Sequence, residues 1–139
     1  MRKPFMALLS VFLFANFTAA QAPTKHPIDK ALEACIDKNG STAGMVECTD
    51  KAYAAWDKEL NKNYGALMLA LKPKPKEALR TAQLEWIKYR DLEFRFIDSV
   101  FDTLDGTMYI PMRISSRMEA IKKRALELKD YLNLVTEGG

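Results

Sequence analysis

The side chains that invite a chemical reading in this 139-residue chain are one histidine, two cysteines and a carboxylate set among aromatics. His26, the sole histidine, lies in a polar stretch ahead of the first periodic segment, with no partner at a spacing that would make it a general base. Cys35 and Cys48 are an isolated even pair, and two thiols with one remote histidine do not complete a tetrahedral metal shell. Ser41, Ser99, Ser115 and Ser116 have no evident base to activate them. Asp102 and Asp105 sit in a turn, and no phosphate-cradling glycine loop or metal-ligand spacing is present. The expectation is a protein that is not an enzyme and needs no cofactor or metal.

The remaining polar feature is Asp57, inside the stretch Cys48–Tyr64. At about 100° per residue, with Tyr53 at zero, Trp56 falls near about −60°, Leu60 near about −20° and Tyr64 near about +20°. Asp57 falls near about +40°, within that stripe, and a core-facing carboxylate needs a partner. Arg90 is the expected one. It interrupts the seam Leu79, Gln83, Trp86, Arg90, Phe94, Ile97, Phe101, Leu104, whose three-and-four spacing marks a helix packed lengthwise. Counted from Lys74, Asp57 lies 17 residues back and Arg90 lies 16 forward, so an antiparallel pair of helices brings them level. The expected result is a partly buried Asp57–Arg90 pair near Trp86 and Tyr53.

The elements that position these residues follow from periodicity and breakers. Arg2 and Lys3, the apolar run Phe5–Phe17 and the small residues Thr18-Ala19-Ala20 have the layout of a secretory signal peptide over residues 1–20, with cleavage after Ala20 preferred to Ala22. That run is too short to span a membrane. Residues 21–139 are long enough for one domain. Removing Arg2 and Lys3 with no acid takes the net charge from +3 to +1, which gives no argument for a nucleic-acid partner. In the oxidising compartment that export implies, Cys35 and Cys48 read as a disulfide. An exported, periplasmic or secreted protein with no membrane span after signal cleavage is expected.

A first helix opens at Pro27 and stops at Gly40, expected to take the left-handed conformation there. A second, capped by Ser41 or Thr42, runs to about Leu71. Lys72-Pro73-Lys74-Pro75-Lys76 breaks the chain, its lysines reading as a solvated turn. A third runs from about Pro75 to about Leu104, and a fourth from Met112 or Ser115 to Leu132, with Asn133–Gly139 fraying. Between them lies a connector whose Asp105-Gly106 is a turn signal and whose Met108, Tyr109 and Ile110 are expected to tuck under the bundle. Arg113, Arg117, Lys122, Lys123, Arg124 and Lys129 fall largely off the last helix's apolar seam, as an exposed basic side, with Glu119 and Lys123 an i, i+4 pair. The fold class is all-α, a small antiparallel bundle of about four helices with one disulfide.

Cys35-x12-Cys48, then Tyr53, Trp56-Asp57, Leu60-Asn61 and Tyr64, then Ala82-Gln83-x2-Trp86-x3-Arg90-Asp91, a Gly106-Thr107 turn and Arg117 in a final helix form a pattern. It resembles the LprI-like lysozyme-inhibitor family of small exported bacterial proteins, over about residues 32–132. Many members carry a further cysteine pair. Here Leu92-Glu93-Phe94 and Ile114-Ser115-Ser116 stand in those neighbourhoods, and the lipid-attachment cysteine of the mycobacterial namesake is also absent. The resemblance implies a binding module that covers the cleft of a lysozyme-type peptidoglycan hydrolase. Recognition favours loops on a rigid bundle, which points to the connector Asp105, Gly106, Thr107, Met108 and Tyr109. The other reading is an envelope stress or immunity-type protein that binds another partner through its basic last helix. Neither reading fixes an oligomeric state.

Overall fold

Four helices form between residues 25 and 138, the part of the chain that the structure, a computed structural model, describes. The expected signal segment, residues 1–20, lies outside the described residues. Helix α1 is Pro27–Lys38, α2 Thr42–Ala70, α3 Pro73–Phe101 and α4 Tyr109–Glu137. Each of the last three has 29 residues, a rod of about 43 Å.

Local chemistry sets the ends. His26 caps α1, its Nδ1 accepting the Ile28 N–H at 3.3 Å, with Pro27 at the first position and Asp29 in the first turn. Asn39, not Gly40, closes α1. Its N–H donates to the Cys35 and Ile36 carbonyls at 3.1 Å, and the one positive-φ residue among those described is Gly106. The Ser41 hydroxyl accepts the Gly44 N–H at 3.1 Å and starts α2. Pro73 and Pro75 do not interrupt structure as expected but occupy the first turn of α3, where their missing N–H groups have no intrahelical acceptor to lose. The α2–α3 link shrinks to Leu71-Lys72. Pro111 is likewise a first-turn residue of α4, which therefore begins before the expected Met112 and stays helical beyond Leu132 to Glu137.

The core is built by α2 and α4. Ala52, Trp56, Leu60 and Leu67 from α2 bury against Met118, Ile121, Ala125 and Leu128 from α4, with Leu32, Tyr53, Tyr64, Trp86 and Phe94 packed around them. Ala125 is fully buried, and the buried Asn63 amide reaches across to donate to its carbonyl at 3.0 Å. Met45 and Thr49 share one small cavity with Pro111 and Ser115, so α2 and α4 run parallel. Helix α3 runs antiparallel to α4, as Gln83 meets Arg124, Asp98 meets Arg117 and Asp102 meets Arg113. It contributes only Gln83 and Ile97 to the buried set. Helix α1 lies along α2, stapled by the expected disulfide between Cys35 and Cys48, whose Cα atoms are 5.7 Å apart.

Candidate functional site

The signature residues divide into a buried set and a half-buried set. Trp56 is fully buried. Its indole N–H donates to Asp29 Oδ1 at 3.3 Å, and the His26 ring lies 4.3 Å from its own, tilted by 35°. Lys122 closes this cluster, 2.9 Å from Asp29 Oδ2, with its ammonium 5.5 Å from the indole centroid. Burial alone would push the Lys122 ammonium down. The hydrogen bond to Asp29 and the charges of Glu119 and Asp29 outweigh it and hold the group above its ordinary range.

Asp57 and Arg90 do not form the expected pair. Asp57 is half-buried and accepts from the Asn61 amide at 3.3 Å. Arg90 turns to its neighbour Asp91, donating through Nε and Nη2 at 2.9 and 2.6 Å. Its guanidinium lies over Trp86 at 5.7 Å and over Phe94 at 5.8 Å. The physical reason is where the core falls on α2. Between Thr49 and Leu67 the buried positions are Thr49, Ala52, Trp56, Leu60, Asn63 and Leu67, centred at about −60° on the wheel above. Asp57 therefore lies about 100° off the core direction, near solvent. The two charges still share a neighbourhood with Tyr53, whose ring is 6.5 Å from that of Phe94. Burial pushes the Tyr53 phenol up, aided by the Asp57 carboxylate, while Arg90 and Arg117 pull it down and Asp91 adds a smaller push up.

The cations of α4 are largely spent on the fold, not displayed as a basic face. Arg113 pairs with Asp102 at 2.5 Å, Arg117 pairs with Asp98, and Lys122 pairs with Asp29. Arg124 donates to the buried Gln83 at 3.0 Å and to Glu127 at 2.6 Å, and lies over Trp86 at 5.8 Å. Arg117 also lies over Phe94 at 5.5 Å. Its pair with Asp98 is incomplete, since Arg117 Nε and Asp98 Oδ1 are buried without a partner among the described residues. Glu119 contacts Lys122, at 3.6 Å, not the expected Lys123. Lys123 and Lys129 have no ion pair among the described residues.

The connector closes one end of the bundle. Gly106 takes φ 120°, a conformation that disfavours any side chain, and its carbonyl accepts the Tyr109 N–H at 3.3 Å. Tyr109 tucks against Phe101, with ring centroids 6.5 Å apart. Met108 and Ile110 do not tuck. They are 60% and 51% exposed, and Leu104 and Met112 are exposed in part; Leu104 and Ile110 line a cavity beside Gly106, and Met108 and Met112 one beside Ile36 and Met45. Starting the helix at Tyr109 rotates Ile110 and Met112 off the core-facing side, which the earlier start leaves to Pro111 and Ile114. No group of three or more His, Cys, Asp or Glu that could hold a metal comes together among the described residues. The hydroxyls of Ser99 and Ser116 donate to backbone carbonyls one turn back.

The structure is thus a disulfide-stapled bundle whose ion pairs brace its own helices and which leaves apolar side chains exposed at the connector end. The chain belongs to the LprI family, described as "Lysozyme inhibitor LprI", which matches residues 35–128. It is 34% identical over 99 residues to an uncharacterised protein of Rhizobium meliloti (strain 1021), an alignment that covers 61% of this chain and 69% of that protein. It is similar in structure to an uncharacterised protein from Burkholderia thailandensis, with a TM-score of 0.76 and 27% identity over 83% of this chain. The match takes in 57% of that longer chain, so this protein spans just over half of it. The fold and the disulfide agree with the family resemblance of the sequence. No helix among the described residues is long and apolar enough to cross a membrane.

Proposed function

We propose that this chain is an exported inhibitor of lysozyme-type peptidoglycan hydrolases, formed by a single domain over residues 21–139 after removal of residues 1–20. It acts by occluding the substrate cleft and performs no chemistry of its own. Family membership carries this reading. The bundle end supports it. Asp105, Gly106, Thr107, Met108 and Tyr109 present a turn held by Gly106, by Tyr109 on Phe101 and by the Asp102–Arg113 pair, with exposed apolar side chains around it. Such a preorganised tip loses little conformational freedom on binding. The disulfide suits the oxidising compartment in which such enzymes work.

The test is inhibition of c-type, g-type and bacterial lysozymes by the purified, oxidised protein. Stoichiometric inhibition that drops about tenfold or more in Met108→Asp is the expected result. Absence of binding across the panel would sink the reading. The alternative, an envelope partner bound through the last helix, has Lys123 and Lys129 left to work with, because the other cations are held in ion pairs. Loss of function in Lys123→Glu with Lys129→Glu, and none in Met108→Asp, would favour it.

A further inference from the structure

Lys72, Lys74 and Lys76 crowd the start of α3, the positive end of a helix, where cations are disfavoured. The first turn of α3 holds no acid, and its N-cap, Lys72, makes no side-chain hydrogen bond. No acid occurs anywhere in residues 60–76. Other lysines of the bundle pair along their own helices, Lys51 with Glu47, Lys62 with Glu59 and Lys88 with Glu85. The three link lysines have no ion pair among the described residues. The fold itself offers nothing to offset them.

The link shares its end of the bundle with the last turns of α2 and α4. Asn63 bonds to Ala125, so eight residues further on Leu71 comes level with Asn133. Gln83 bonds to Arg124, so ten residues outward Pro73 comes level with Leu134. Between the three helices lies a groove of about 440 Å³, walled by Leu67, Leu71, Pro75, Leu79, Tyr131 and Val135. At the same end Leu69 and Leu134 are 85% and 67% exposed. Arg124 and Glu127 also line the groove but pair with each other, and Glu77 pairs with Arg80. Lys129, Asp130 and Glu137 complete the charges here, exposed and without an ion pair among the described residues. Four unpaired lysines thus stand against two unpaired carboxylates, and three of the four are on the link itself.

We propose that this end of the bundle docks on the surface of an anionic phospholipid bilayer. The link lysines meet headgroup phosphates, and Leu69, Leu71, Leu134, Val135 and Tyr131 settle at the boundary between headgroups and acyl chains. Charge complementarity calls for an anionic partner, and the side chains select lipid over an acidic protein. Protein interfaces are depleted in Lys and take their energy from Trp, Tyr and Arg anchors, with Leu and Val under-represented. Lysines that reach past aliphatic side chains to an anionic layer, with a tyrosine at the boundary, have the composition of an interfacial contact. The association is peripheral, since no helix among the described residues is long and apolar enough to cross a membrane. The connector lies at the other end of rods of about 43 Å, so docking holds it away from the lipid. The proposal does not depend on the inhibitor reading.

The experiment sediments the purified, oxidised protein with vesicles of phosphatidylglycerol mixed into phosphatidylcholine, and with phosphatidylcholine alone, at low and high salt. Binding to the anionic vesicles only, weakened by salt, is the expected result. Each lysine is worth about fivefold in partition, so Lys72→Gln, Lys74→Gln and Lys76→Gln together should weaken it by about 100-fold. Leu69→Asp with Leu134→Asp should weaken it by about tenfold. None of these side chains belongs to the core, and circular dichroism melts like the parent's verify the fold. Met108→Asp, at the other end, should bind as the parent does. A parent that ignores anionic vesicles overturns the proposal, and one that instead binds polyglutamate through the same lysines assigns this end to an acidic protein. Binding that survives loss of the three lysines places the contact elsewhere and overturns it as well. Binding that needs the lysines but is unchanged in the leucine variant is charge adsorption alone, against the docking proposed. Inhibition is read separately by the lysozyme panel, so failure here leaves that reading standing.

Discussion

The carboxylate that the fold depends on is Asp29, not Asp57, and the two can be separated by substitution. Asp29 is 14% exposed and Lys122 is 22% exposed, so their pair lies much nearer the buried limit than the surface one. Breaking a buried pair costs about 3–5 kcal/mol and an exposed one about 0–1 kcal/mol. An intermediate site gives about 2 kcal/mol for Asp29→Asn, which removes the charge but keeps an oxygen for the Trp56 N–H. Asp29→Ala also strands that N–H, which adds about 1 kcal/mol. For a domain of this size the melting temperature should fall by about 8–12 °C. Asp57→Asn removes no ion pair and should cost about 0.5 kcal/mol or less. Thermal melts followed by circular dichroism would measure all three. A double-mutant cycle with Lys122→Met isolates the pair, and coupling of at least about 1 kcal/mol is expected. An Asp57→Asn variant that melts as low as Asp29→Asn, or a cycle with no coupling, would refute the assignment.

Opening the staple should act locally. Cys35→Ser with Cys48→Ser frees a chain segment of 13 residues and should cost about 3 kcal/mol, with faster hydrogen exchange over α1 and continued protection in α2 and α4. Uniform loss of protection would show that α1 is part of the core unit. Stability should also fall under alkali. The Lys122 value is raised in the fold, so its contribution is full below the unfolded value of about 10.4 and disappears as pH rises through the folded one. The Tyr53 phenol is raised as well, so above about pH 10 the unfolded chain ionises first and is favoured. Denaturation from pH 7 to 11.5 should show a steeper fall in the parent than in Tyr53→Phe with Lys122→Met; equal slopes would remove these two groups as the cause.

Much of the fold could be read from repetition. The α3 seam faces inward from Leu79 to Phe101 as its spacing predicts, while its last expected member, Leu104, lies beyond the helix end and is exposed; Met118, Ile121, Ala125 and Leu128 form the buried line of α4. The prolines misled at both later helix starts, because a first-turn proline and a helix-breaking one are the same residue in different places. The side chains near Asp57 misled in another way. Tyr53 and Tyr64 are large enough to seem central, yet they lie about 60–80° around α2 from the core direction and are only half-buried. Thr49, Ala52 and Asn63 mark the α2 centre, and they draw little attention in a sequence. Asp29 stands out in the sequence only by its place just after Pro27, since its partners Trp56 and Lys122 lie on two other helices. The tip reads as a connector in the sequence, but the exposure of Met108, Ile110 and Met112 depends on the rotation of the first turn of α4.

The parallel packing of α2 on α4 also sets an order of events. Trp56, Leu60 and Leu67 have no apolar roof until Ile121, Ala125 and Leu128 arrive, and those residues lie in the last element of the chain. Helices α1 and α2 with their staple, or even α2 with α3, leave the main cluster half built. A chain delivered N-terminus first would stay open, extended and free of a competing core through most of its length, and would close in one step when α4 emerged. On the export reading this timing is useful, because a segment threading a narrow translocation pore must not fold before it has crossed.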